Sequence, residues 1–238
     1  MRSPWFTLIV AAALASMSGV AHAQKHARKV DLFTLAPDYA QYGVQSVAFL
    51  PVATFDGSLE ARRLTEATVG QALRGAGYRW VSPTLAKEWL GRAGGDSLQK
   101  ALNDQLLRSP RLDSLQAPMF SRIARTRALL TVRVDQFERR ELEFNQSGRP
   151  ATTVSLKAAL VDSSGRLLWS AAGSETVEGP FQDPTTNPLG VKSSGLNNMP
   201  ITGQGGAPTF IEVLNKLLAR WAEHFPARPA VAIPAVDR

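Results

Sequence analysis

Short apolar runs and longer helical patterns alternate in the first half of the chain. Residues 46–53 form a continuous apolar run, which is typical of a strand buried on both faces of a sheet. Residues 58–77 place apolar side chains on one helical face, with Ser58 as the N-cap and Gly77 just after the helix. Residues 78–82 predict a second strand. A strand, a helix and a strand in so short a span predict a right-handed βαβ unit.

Helical patterns continue up to the next strand. They cover residues 83–90, 98–107 and 118–127, and the glycine-containing segment 91–97 breaks the first of them. The segment around Pro110 separates the last two.

Alternating apolar and polar residues predict three further strands, at 128–137, 152–161 and 166–177. Short turn signals join them, so they predict an antiparallel meander. Between the last two strands, Asp162 and the following serines can cap a turn, and Gly165 can supply a positive φ. Strict alternation places Leu168 and Trp169 on opposite faces, with one of them partly exposed; we expect Trp169 to pack rather than react.

Residues 209–225 carry the clearest helical stripe, with Thr209 and Glu212 at capping-box spacing and Pro226 after the end. The preceding segment, 180–207, has no period and many prolines and glycines, so it is either a functional loop or disordered. Together the elements predict an α/β fold with α+β character: one mixed sheet, built from the βαβ unit and a three-strand antiparallel meander, covered by amphipathic helices.

The N-terminus has the features of a secretory signal. A basic residue, an apolar run and an Ala-His-Ala cleavage site end at residue 23, and the run is short for a membrane anchor, which is the alternative. We expect residues 1–23 to be cleaved, 24–45 to form a leader, 46–225 to form a single domain and 226–238 to be a proline-rich tail. The mature protein is then expected in the periplasm, without a membrane span.

The formal charge of +7 favours anionic surfaces, although acidic residues are interleaved with the arginines. Arg62, Arg63, Arg122 and Arg125 could contact phosphates, but a solvated helix face is the favoured interpretation, and we expect no nucleic-acid partner. The chain has no cysteine, which excludes disulfides and an N-terminal lipid-bearing cysteine.

A search for catalytic groups yields one weak candidate. Ser97 and Lys100 match the S-x-x-K motif of penicillin-recognising enzymes, but the companion S-D-N and K-T-G elements are missing. After the signal only His26 and His224 remain, too few for a histidine-based metal cluster. Glu141 and Glu143 share a strand face without forming an acid/base pair that we can assign. We therefore expect no enzyme activity and no catalytic, cofactor-binding or metal site.

The order of motifs resembles a group of bacterial envelope proteins. "SVAFLPVATFDGS", a helix and "GYRWVSP", then "RALLTVRVDQFE" and the hairpin "VSLKAALVDSSGRLLWSAAGSE" are similar to the curli-secretion lipoprotein family and its relatives, which include lipoprotein activators of penicillin-binding proteins. The resemblance covers residues 46–178 and 209–225. It implies an envelope role, but members are typically lipidated at a cysteine that this chain lacks. The charged hairpin tip "FERRELEFNQSGRPA" also argues against the membrane pore of the curli channel.

Three functions remain open at this point. The leading hypothesis is a non-enzymatic periplasmic accessory or scaffold protein in envelope assembly, secretion or transport. It would bind an envelope protein, with the 180–207 loop and the 139–151 hairpin tip as candidate contacts, and a homo-oligomer is an open alternative. The second is a basic module that binds an anionic envelope polymer. The third hypothesis is a serine hydrolase that uses Ser97 and Lys100.

Overall fold

Seven strands form one mixed sheet in the computed structural model, which describes residues 31–143, 146–182 and 206–229. The strand order is β1-β7-β6-β5-β2-β4, and β3 pairs with β5 beside β2. The predicted signal, His26, most of the 180–207 loop and the end of the tail lie outside the described residues. The strands are β1 (Leu32–Leu35), β2 (Ser46–Phe49), β3 (Ala53–Thr54), β4 (Arg79–Val81), β5 (Ala128–Arg140), β6 (Ala151–Asp162) and β7 (Leu167–Glu178).

Four helices cover the two faces of this sheet: α1 (Leu59–Ala72), α2 (Pro83–Arg108), α3 (Gln116–Ala124) and α4 (Phe210–His224). Helices α1 and α4 pack together on one face, and α2 and α3 pack together on the other. The predicted fold class is therefore confirmed. None of the helices in the described ranges has the length and apolar character needed to cross a bilayer.

The parallel half of the sheet contains the predicted βαβ unit. Strand β2 lies between β4 and β5, parallel to both, and each of its residues is buried, as its apolar run predicts. Helix α1 begins after Ser58, whose Oγ accepts a hydrogen bond from the Ala61 N–H. After α1 the chain passes through Gly77, which has a φ of 81°, and enters β4.

Helix α2 doubles back on itself at Gly95, whose φ of 63° and ψ of −154° are not helical. The predicted break at 91–97 is therefore present, and it folds the second half of α2 against the first. Gln99 Nε2 in the second half lies 3.5 Å from the Lys87 carbonyl in the first. Leu90, Leu102 and Leu106 from the two halves join the same core.

The antiparallel meander β5–β6–β7 is also confirmed, and it gains a fourth strand. Strand β1 pairs with β7 at the edge of the sheet, within the segment that the sequence assigned to a leader. That assignment was wrong for residues 32–35. The strand is short and mostly exposed, so its own pattern does not mark it. Long-range contacts hold it in place: Asp31 pairs with Arg220 of α4, and the Phe33 ring packs on His224 with centroids 4.2 Å apart.

Both Leu168 and Trp169 are buried in the core beneath α4, which corrects the predicted exposure of one of them. A register shift is the cause. Trp169 pairs with Leu160 and Leu167 with Val161, so Leu168 is an extra residue in a β-bulge. Trp169 packs edge-on against the Trp221 ring, with centroids 6.2 Å apart.

The β6–β7 turn has the predicted chemistry. Asp162 Oδ1 accepts hydrogen bonds from the backbone N–H of Ser164 and of Arg166, and Gly165 has a φ of 85°. The turn also packs on the chain before α3, because Arg111 donates to the Gly165 carbonyl.

Buried hydroxyls fasten the chain after α4 to the sheet. Tyr78 donates to the Pro226 carbonyl at 2.7 Å, so the Tyr39 hydroxyl beside it donates to the Tyr78 oxygen. Burial raises the pKa of both tyrosines. The Arg228 N–H then bonds to the Ala76 carbonyl. The first residues of the predicted tail are thus part of the folded domain.

Candidate functional site

A crevice opens where β2 and β4, two adjacent parallel strands, end at the same edge of the sheet. The chain leaves β2 through β3 towards α1 on one face, and leaves β4 directly into α2 on the opposite face. In open α/β sheets, connections that diverge in this way leave a crevice between them, and ligands bind there. The topology therefore marks this position before any side chain is considered.

The crevice has a volume of about 320 Å³, at the lower end of the range for small-molecule sites. Its floor is apolar and its walls are basic and polar. It is lined by Pro51, Val52, Leu59, Arg62, Arg63, Glu66, Pro83, Thr84, Lys87, Leu90, Gln99, Leu102 and Asn103.

Three cationic side chains reach the crevice: Arg62 and Arg63 from the first turns of α1, and Lys87 from the first turns of α2. Within the described residues, no carboxylate oxygen lies within 4.0 Å of their nitrogens. The Arg62 Nε is buried and has no hydrogen-bond partner among the residues that the structure describes. The positive charge of the crevice is therefore not neutralised by close ion pairs.

Glu66 is the one carboxylate in the lining, and it is hydrogen-bonded to the backbone instead of forming a close ion pair with a cation of the crevice. Its Oε1 accepts a hydrogen bond from the Val52 N–H at 3.0 Å, which ties α1 to the chain after β2. Burial raises the pKa of Glu66, against the opposing effects of the Val52 N–H, Arg62 and Lys87. The ionised form is thus less favoured here than in water.

Two large apolar side chains are exposed on the chain that enters α1, and one of them, Leu59, lines the crevice. Phe55, between β3 and α1, is 77% exposed, and Leu59, at the start of α1, is 63% exposed. Leu85, in the first turn of α2, is also exposed. We call these three residues and the crevice lining the crevice face. It combines cationic donors, amides and apolar groups, a set suited to binding.

The structure does not bring the candidate residues of the sequence together. Ser97 and Lys100 are exposed on α2, and the Ser97 hydroxyl donates to the Gly94 carbonyl at 2.8 Å. Glu141 pairs with Arg139 and accepts the Ala207 N–H, so it holds one end of the 180–207 loop. Glu143 instead bonds with Gln146.

The remaining candidates are spread over the domain. His224 lies at the end of α4 under the Phe33 ring, while Arg122 and Arg125 are exposed at the end of α3. Arg62 differs from its predicted role in a solvated face, because it is partly buried. No set of three metal-ligating side chains is grouped within the described ranges.

A second, more open cavity of about 510 Å³ lies beside the β6–β7 turn. Its arginines are already engaged: Arg111 bonds to the Gly165 carbonyl, and Arg166 pairs with Asp38. Its cations are therefore less available than those of the crevice.

Sequence reasoning missed Glu66 and Lys87, and it assigned Arg62 and Arg63 to a solvated helix face. The helical pattern does not show that α1 and α2 begin at the same edge of the sheet, on opposite faces of β2 and β4. A usable signal was present, since both predicted strands of a βαβ unit end where helices begin. The polar residues in the first turns of those two helices were therefore the candidates for a binding site.

No family model matches the chain, and no curated protein matches it. Among solved structures, the chain is similar to the PelC dodecamer from Paraburkholderia phytofirmans, with 16% identity over 84% of this chain and 99% of that chain and a TM-score of 0.47. It is also similar to the lipoprotein GNA1162 from Neisseria meningitidis, with 19% identity, 59% and 88% coverage and a TM-score of 0.43. The hypothetical protein CT253 from Chlamydia trachomatis matches with 11% identity, 76% and 97% coverage and a TM-score of 0.41. Likeness at this level is too low to carry a function to this chain.

Proposed function

We propose that this protein is a non-catalytic accessory protein of the bacterial cell envelope, exported to the periplasm, which binds a partner protein through the crevice face. The N-terminal signal pattern and the resemblance to envelope lipoproteins support the location. The scattered positions of Ser97, His224, Glu141 and Glu143 support a role without catalysis.

One observation carries the choice of surface. Phe55 is the most exposed aromatic side chain in the described residues, and it precedes by four positions the exposed Leu59, which lines a crevice that also contains three cationic side chains. Aromatic side chains at the centre of an interface contribute much of its binding energy when they are buried by a partner. Phe55 and Leu59 are exposed within one short segment, so a partner that covers both would bury apolar surface next to the cations of the crevice.

The proposal is tested by capture from the envelope of the source bacterium. The bait is the protein beginning at residue 24, either wild type or with Phe55→Asp and Leu59→Asp. Leu115→Asp is the matched control, because Leu115 is 84% exposed before α3 and does not line the crevice. We expect a discrete protein to be retained by wild type and by the control but lost from the double variant. Retention by all three baits would contradict the proposed surface, and no retained protein would contradict partner binding.

A further inference from the structure

We propose that the crevice between α1 and α2 binds a small molecule that carries one oxyanion group, carboxylate or phosphate, on a short apolar body. This goes beyond the proposed function, since it requires no partner protein. It states which class of ligand the cavity binds, whereas the proposed function states which surface contacts a partner protein.

Charge is the first argument. Arg62, Arg63 and Lys87 contribute three positive charges, and the single carboxylate, Glu66, is hydrogen-bonded to the Val52 N–H and has a raised pKa. A cavity with one sign of charge and partly apolar walls focuses the field and attracts the opposite charge. Helices α1 and α2 both begin here, so their positive ends add to that field.

The orphaned donor is the second argument. Arg62 Nε is buried without a hydrogen-bond partner, and an unsatisfied buried donor is costly. The guanidinium group presents a planar fork of N–H donors that matches the oxygens of a carboxylate or a phosphate. The Nε is covered by protein atoms, so an oxyanion in the crevice supplies the missing acceptor only when the Arg62 side chain turns towards it; helix α1 itself need not move.

Shape and polarity give the third argument. Leu90 and Leu102 are fully buried beneath the crevice, and Leu59 stands at its mouth with Pro51 and Pro83. The volume of about 320 Å³ leaves room for a few carbon atoms besides the charged group. The amides of Gln99 and Asn103 offer polar contacts on the side of α2. An apolar body attached to the anion therefore fits better than a bare ion.

The test measures binding by titration calorimetry and ligand-observed NMR, using the protein from residue 24 onwards. The probes are hexanoate, hexyl phosphate, inorganic phosphate and hexan-1-ol. We expect hexanoate, hexyl phosphate or both to bind, and whichever binds more tightly identifies the oxyanion. Hexan-1-ol should not bind, and inorganic phosphate should bind more weakly than hexyl phosphate. Equal binding of hexan-1-ol, or inorganic phosphate as tight as hexyl phosphate, would overturn the proposal.

Variants locate the site. Arg62→Gln should weaken binding by about tenfold, the loss expected for a charge-assisted hydrogen bond. Arg74→Gln is the matched control, because Arg74 is exposed just beyond the other end of α1 and its replacement changes the net charge equally. Exposed Lys87→Gln serves as a second variant that does not disturb a buried group. Unchanged binding in both crevice variants, or equal weakening by Arg74→Gln, would refute the assignment.

The two proposals fail separately. If the wild-type protein binds neither hexanoate nor hexyl phosphate, the ligand proposal fails, and capture of a partner through Phe55 is still judged on its own result. Failure of capture, in turn, says nothing against calorimetric binding of hexanoate.

Discussion

Glu66 shows at the residue scale how the crevice affects stability as well as binding. In the folded protein, burial raises its pKa above the ordinary value of 4.5, so the folded state holds the proton more tightly than the unfolded chain does. The contribution of Glu66 to the free energy of unfolding is therefore greatest at pH values below the pKa that this group has in the unfolded chain. It decreases as the pH rises from about 4.5 towards the raised folded pKa, because the ionised carboxylate is disfavoured in the crevice.

We expect Glu66→Gln to remove this dependence. The glutamine Oε1 can still accept the Val52 N–H, while the side chain no longer ionises. The free energy of unfolding of the variant, relative to wild type, should therefore rise between pH 4.5 and neutral pH. Urea unfolding over a pH series measures it, and every other carboxylate cancels in the difference. A difference that is flat, or that falls with increasing pH, would contradict the assigned environment of Glu66.

Turns that anchor elements are the features that the sequence predicts best at the element scale. The Asp162–Gly165 turn was predicted because its determinants are local: an aspartate that caps the turn and a glycine with a positive φ. The bulge at Leu168 and the edge strand β1 were not predictable. Strand β1 depends on a pairing partner, β7, that is more than a hundred residues away in the chain. The bulge depends on the register between β6 and β7, which the sequence pattern does not contain.

Two glycines with similar backbone angles allow the free-energy cost of local backbone strain to be compared with the cost of a tertiary clash. Gly57 and Gly165 have φ values of 72° and 85°. A Cβ on Gly57 would meet open space, whereas a Cβ on Gly165 would lie 2.6 Å from the backbone of Asp113. Gly57→Ala should cost about 1–2 kcal/mol from backbone strain alone. Gly165→Ala should cost about 1–3 kcal/mol more, because the chain before α3 must move.

Equilibrium unfolding in urea of the two alanine variants measures both costs. Equal losses would show that the β6–β7 turn does not pack on the segment around Asp113. A larger loss at Gly57 would also contradict the turn geometry.

At the scale of the whole molecule, the predicted mixed sheet is confirmed, but its candidate site is not one that the sequence named. Periodicity indicates which face of a strand or helix is buried, and that sufficed for the βαβ unit and the meander. A site formed by Arg62, Glu66 and Lys87 needs the relative placement of α1 and α2. That placement depends on helices passing to opposite faces, which no local pattern encodes. Ser97 and Lys100, which match a motif, are exposed on α2 and do not line the crevice.

The central claim is that the crevice face is where this protein meets its partner, and photo-crosslinking in living cells tests it most directly. A photoreactive amino acid is placed at Phe55 and, as the control, at Leu115, which is exposed before α3 and does not line the crevice. The probe at Phe55 should give a crosslinked band with one envelope protein, and the probe at Leu115 should not. The same bands from both positions, or none from Phe55 while Leu115 crosslinks, would contradict the claim.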